Sequence, residues 1–293
     1  MKTPESNRAQ PAARVWKKIA VFYTLTLLFS NVFNAFVFLG GRLDAGNLLY
    51  VTGAMWSPGL AALATKRIFR EPIAELPWKW GGARYAWLAY LMPVAYALPV
   101  YLVVWLTPLG GFLETDFLKR TADQFGWSSL PSSLVLGLFV IFTATLGLVG
   151  KTSRALGEEI GWRGFLVPEL SKVVGFTGVG LISGLMWAVY HFPVLLFADY
   201  NKGAPAWYSL TCFTLMVVAD SFILAWLTLR SQSLWPAAIL HGSHNLFIQS
   251  LFTPLTRDTG PTKYIIDEFG IGLVITIGIA AFLVWRAFPR TRV

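Results

Sequence analysis

Eight stretches of roughly twenty residues run almost without charge through this chain, at about 19–39, 48–65, 85–107, 132–150, 174–198, 207–229, 234–252 and 270–288. A bilayer core of about 30 Å needs about 20 apolar residues per helix, so the pattern predicts an all-α, polytopic transmembrane bundle of about eight spans. Composition agrees: 55% of the 293 residues are apolar and 13% charged, where soluble domains carry about 25% charge. Disorder, collagen and disulfide-built secreted modules each need an opposite composition. The single cysteine, Cys212, allows no internal disulfide and no thiolate zinc site, so any metal would need His and carboxylate ligands.

A net charge of +9 would point a soluble protein toward nucleic acid, but in a membrane protein basic connections report orientation. With the N-terminus cytosolic, the eight spans place 18 Lys and Arg on the cytosolic side and six opposite, which favours both termini in the cytosol. The expected organisation is a basic cytosolic segment at 1–18, a single membrane domain at 19–288 and a cytosolic end at 289–293. The first apolar stretch is too long and too aromatic for the apolar part of a cleaved signal. No internal repeat or low-complexity tract is present, and small-residue runs such as Gly175, Gly178, Gly180 and Gly184 suit close helix packing in lipid.

Ionisable groups inside a bilayer are expensive and mark function. Here they are few. A polar-flecked helical segment at 155–171 carries Glu158, Glu159 and Arg163; His191 lies late in the fifth span, Asp220 near the middle of the sixth, and His241, His244 and Asn245 in the seventh. All three histidines of the chain fall in this set. Adjacent glutamates point about 100° apart on a helix, so only one can aim into a given cavity. Arg163 stands four residues after Glu159, the supported order for an acid before a base. Glu159 would then be held ionised by Arg163, leaving Glu158 on a drier face for proton transfer. A surface amphipathic helix with solvated Glu and Arg is the competing reading of this segment.

His241 and Asn245, at i and i+4, share a helix face; they could donate to an oxyanion, bind a metal or simply bond a neighbouring helix. Pro193 is expected to end or kink the helix just after His191. Asp220 is protonated, paired across helices or lines a water path, and His244 has no assigned role. The depths conflict: His241 lies about 9 Å into its span and His191 about 25 Å into its own. Sharing one site requires the glutamate helix to enter the membrane, a late start to the fifth span, or a local change of sides.

Glu158-Glu159-x-x-x-Arg163, Trp187-x-x-x-His191 and His241-x-x-x-Asn245, in this order on successive apolar segments, resemble the CAAX protease and bacteriocin-processing (abortive infection) family of intramembrane endopeptidases, of the type 2 CAAX prenyl endopeptidase kind. The likeness is close over about 150–250, the expected catalytic core, and includes Arg163-Gly164 and the Ser233-Leu234-Trp235-Pro236 run. Trp187 stands where the commonest pattern has Phe. The resemblance implies hydrolysis of a peptide bond in a membrane-associated or prenylated protein by water attack: Glu158 and His191 activating the water, Glu159 and Arg163 orienting the site, His241 and Asn245 stabilising the oxyanion. A metal-free glutamate mechanism is preferred, although Glu with two His is also a zinc set. The expected partners are a lipidated substrate and the bilayer, without nucleic acid, in a bacterial cytoplasmic membrane. Two alternatives stand beside it, a proton-coupled transporter and a non-catalytic immunity or scaffold protein.

Overall fold

The computed structural model describes residues 4–40, 48–198 and 203–288, with backbone alone at 4–11 and 40; the expected C-terminal segment 289–293 and the first three residues of the N-terminal one lie outside the described residues. Among the described residues the chain is all-α apart from one two-stranded clip. Its helices are α1 (Pro4–Gly40), α2 (Leu48–Ile68), α3 (Ala83–Leu106), α4 (Thr115–Phe125), α5 (Ser132–Phe142), α6 (Leu148–Glu159), α7 (Val167–Ser171), α8 (Phe176–Phe197), α9 (Ala206–Ser231), α10 (Trp235–His244), α11 (Thr253–Leu255) and α12 (Ile271–Ala287). Among the described residues six helical runs are long and apolar enough to cross a membrane. Residues 235–255 form a further helical run and α12 a shorter apolar helix, so the eight expected stretches are all helical. Outward-facing Leu28, Ile141, Leu146, Val149 and Ile279 make the lipid-facing surface such a bundle needs.

Two of the expectations are corrected. The fourth span and the glutamate segment are not separate helices. α5, α6 and α7 join through two π-helical segments, Thr143–Gly147 and Ile160–Leu166, into one 40-residue run, Ser132–Ser171. Glu158, Glu159, Arg163 and Glu169, which break its hydropathy, are buried, and the helix runs on through them. The second correction is at Pro193, which sits inside α8 rather than at its end; neighbouring groups re-satisfy the freed backbone in membrane helices. The first helix starts at Pro4, and Lys18 is buried in the bundle.

α6 is the centre of the arrangement, packed on α2 and α10, with α1 along α2, α8 along α9, α9 against α12 and α3 against α10. Glycines permit the approach: a Cβ on Gly157 would run into the backbone of Trp56, and one on Gly161 into that of Pro58. Phe22 wedges between Trp162 and Phe165 on the other side of the π segment. One end of the bundle is tied by ions: Lys18 Nζ lies 2.7 Å from Glu169 and 3.0 Å from Glu71, while Lys66 reaches Glu71 at 3.1 Å and Glu75 at 2.9 Å. At the other end β1 (Gly111–Phe112) pairs antiparallel with β2 (Thr256–Arg257), beside the amphipathic α4, which Glu114 caps through the Asp116 amide and Gly126 closes in the left-handed conformation.

Candidate active site

α6 ends at Glu158 and Glu159, where the helix widens into its second π segment. Wide turns of this kind occur often at functional sites. Arg163, inside the segment, sends Nη1 to Glu159 Oε1 at 2.8 Å and Nη2 to Ser221 of α9 at 3.2 Å. From α10, His241 Nδ1 meets the same Glu159 oxygen at 2.9 Å. A carboxylate accepts, so Nδ1 carries the hydrogen and Nε2 is left for other partners. Glu159 and Arg163 are completely enclosed. Among the described residues, Glu159 Oε2 and Arg163 Nε have no hydrogen-bond partner.

Glu158 turns the other way. Its Oε2 accepts from the Trp187 indole at 2.7 Å, and its carboxyl lines a cavity of about 220 Å³. His191, one turn beyond Trp187 on α8, lines the same cavity. Its Nδ1 lies 3.0 Å from the Trp187 carbonyl, which can only accept, so Nε2 is the basic nitrogen. His241 and Asn245 complete the wall from α10 and the first residue of the π segment Asn245–Phe252. Four of the six expected site residues therefore line one cavity, and Glu159 with Arg163 stand behind it. The conflict of depths dissolves in the same arrangement. The glutamate helix lies within the bundle, and α10 starts already inside the fold, where the Leu234 amide bonds Pro77 O at 3.0 Å and the Trp235 indole bonds Trp78 O at 2.8 Å.

Trp187, a motif residue with no role assigned from the sequence, is the hub of the site. It donates to Glu158, the Arg163 guanidinium carbon lies 4.1 Å from its ring centroid, and its ring packs against those of His191 and His241. The available signal was position: four residues before His191, it shares that face of α8. A second polar group faces the same cavity. His244 is bracketed by the Tyr96 hydroxyl at 2.8 Å on Nδ1 and Glu268 at 3.2 Å on Nε2, and Gln249 also reaches Glu268, at 3.0 Å. Asp220 lines the cavity too, and its Oδ1 has no partner among the described residues. Tyr96 and Glu268 carried no signal in the sequence, because their partner is far away in the chain.

A zinc ion would need three or more converging His, Cys, Asp or Glu side chains. Among the described residues no such group could hold a metal; Glu159 and His241 face each other and Arg163 instead of a common centre. No step below is routed through a metal.

Residues 131–247 match the family model of the Rce1-like type II CAAX prenyl endopeptidases, which bears out the resemblance read from the motifs. CAAX prenyl protease 2 of Methanococcus maripaludis is 26% identical over 202 residues, 66% of this chain. The match spans 63% of that relative's length. The family match includes α6, the second π segment and α8.

Proposed function

We propose that this protein is an intramembrane endopeptidase that hydrolyses a peptide bond of a membrane-associated or lipidated substrate with water activated by Glu158 and His191. One observation carries the reading: a carboxylate, a histidine with its basic nitrogen available and two further donors line a single cavity, backed by the Glu159–Arg163 pair. The relative's name, CAAX prenyl protease 2, supports a prenylated substrate.

In this mechanism Glu158, steered by the Trp187 indole, takes a proton from a water that His191 Nε2 positions. The resulting hydroxide adds to the scissile carbonyl. His241 Nε2–H, in the imidazolium form beside Glu159, and the Asn245 amide donate to the oxyanion, where donors in a site shut off from bulk water are worth most. Collapse returns the proton from Glu158 to the leaving amine, so the acid and base roles close on one carboxyl. Glu159 and Arg163 touch no substrate; they fix His241. Asp220, an intramembrane acid of the kind that also suits a proton relay, and His244 belong to the same cavity wall.

Cleavage of a prenylated and membrane-tethered peptide library by the purified protein tests this. Glu158→Gln and His191→Ala should each lower turnover by about 10²–10⁴ without loss of the folded, detergent-soluble protein, and a strong chelator should leave turnover unchanged. Chelator-sensitive cleavage would overturn the glutamate mechanism. Equal turnover in all three proteins would remove these residues from the chemistry.

A further inference from the structure

Two cations stand among the acids of the cavity wall. Glu158, Asp220 and Glu268 line it, and so do Lys151 and Arg154, both from α6 and both half-buried. Lys151 lies midway along the 40-residue run Ser132–Ser171, where an ionisable side chain marks a site or a pathway by default. Spacing puts the three charged residues of α6 on one stripe. Arg154 precedes Glu158 by four residues and Lys151 precedes Arg154 by three, the separations at which helical side chains are neighbours. At about 1.5 Å per residue, the two cations stand about 6 Å and about 10 Å along the helix axis from the catalytic carboxylate.

The other inward cations of the bundle already hold carboxylates. Arg163 has Glu159, Lys18 has Glu71 and Glu169, and Lys66 has Glu71 and Glu75. Arg154 differs. Among the described residues it enters no ion pair, and its Nε donates to the Gly150 carbonyl of its own helix at 3.3 Å. That bond sets the side chain along α6 without neutralising its charge. A guanidinium so placed is suited to a carboxylate, which it meets with two parallel N–H donors.

Length decides which carboxylate. An extended peptide advances about 3.3–3.6 Å per residue, so a chain cut beside Glu158 and running back along α6 reaches Arg154 and Lys151 after about two to three residues. The prenylated tail proposed above as substrate has that length, since its free carboxylate follows the a-a-X residues after the modified cysteine.

We infer that Lys151 and Arg154 form a subsite for the α-carboxylate of the substrate, so that the cavity cuts about three residues from a free C-terminus. The inference rests on the endopeptidase reading: Glu158 performs the hydrolysis, and the two cations select the position of the bond.

Three forms of one peptide test it: an S-farnesylated peptide ending as the free acid three residues after the modified cysteine, its C-terminal amide, and the acid lengthened by two residues. Native protein in detergent should cleave the free acid with a kcat/KM about ten- to a hundredfold above that of either other form, chiefly through KM, as expected for a charge-assisted hydrogen bond. Arg154→Gln and Lys151→Gln should each shrink that ratio, Arg154→Lys should restore part of it, and the double Gln variant should bring it close to one. A ratio near one in the native protein overturns the inference, while the cleavage itself upholds the endopeptidase reading. A ratio that the variants leave intact while all three rates fall together also overturns it, and would mean that the pair holds the helix or binds a lipid headgroup. No cleavage of any form by the native protein overturns the endopeptidase reading and the inference with it.

Discussion

At the scale of single residues, Trp187 separates two ways of holding a catalytic carboxylate. Glu158 is buried with one oxygen on an indole N–H at 2.7 Å, and no cation is paired with it among the described residues, whereas Glu159 has both a guanidinium and an imidazole. Hydrogen bonds to charged groups contribute about 1.5–3 kcal/mol, and each 1.4 kcal/mol is a factor of about ten in rate. Trp187→Phe removes the donor but keeps a ring between Arg163, His191 and His241. It should lower kcat by about ten- to a hundredfold, leave KM near its native value and leave the thermal midpoint within a few degrees. An unchanged kcat would mean that the indole only packs. Arg163→Lys tests the other carboxylate: an ammonium cannot bond Glu159, bond Ser221 and stack on Trp187 together. This variant should lose activity more severely than Trp187→Phe, with a lower thermal midpoint as well.

At the scale of elements, the site depends on a helix that changes pitch. Glu158 and Glu159 close an α-helical segment, Arg163 sits in the π segment that follows, and Gly157 and Gly161 lie against α2 with no room for a methyl group. Gly161→Ala would press a Cβ onto the Pro58 backbone, which cannot yield as a flexible side chain would. Overpacking of this kind costs about 1–3 kcal/mol. The expected result is a lower thermal midpoint in detergent together with reduced turnover, because the displaced segment carries Arg163 and follows directly on both glutamates. Gly137→Ala, where nothing lies within 4 Å of the added carbon, should leave both unchanged. These elements also show what was legible in the sequence. The Glu159–Arg163 pair followed from i, i+4 spacing, and the helical stretches from hydropathy. The π segments did not, since a wider turn has no compositional signature. Nor could spacing place Trp187 on Glu158, 29 residues away, or Glu268 on His244. Those contacts come from how α8 and the 256–270 connection pack, which local periodicity does not encode.

At the scale of the whole molecule, the bundle is closed by charges at the end away from the cavity. Lys18 of α1 bridges Glu169 of α7 and Glu71 of the α2–α3 connection, and Lys66 of α2 holds Glu71 and Glu75, so one ionic cluster ties the first two helices to the long run that bears the glutamates. Burial pushes the Glu71 carboxyl up, but the hydrogen bonds and charges of Lys18 and Lys66 outweigh it and hold the group below its ordinary value. A carboxyl depressed by folding stabilises the native state above the range in which the unfolded chain titrates, and that contribution disappears as the pH falls through the folded value. The thermal midpoint of the detergent-solubilised protein should therefore be flat near neutral pH and fall once the pH enters the ordinary carboxylate range and below. Glu71→Gln should lower the neutral plateau and reduce the acid-induced fall, because the substituted side chain has no proton to gain. Both effects should persist in 0.5 M salt, since the two lysines are each only 6% exposed and screening acts weakly on buried pairs. If wild type and Glu71→Gln instead trace parallel curves from neutral to acid pH, the cluster is not what ties α1 and α2 to the catalytic helix, and the packing of Phe22 against Trp162 and Phe165 must hold that seam alone.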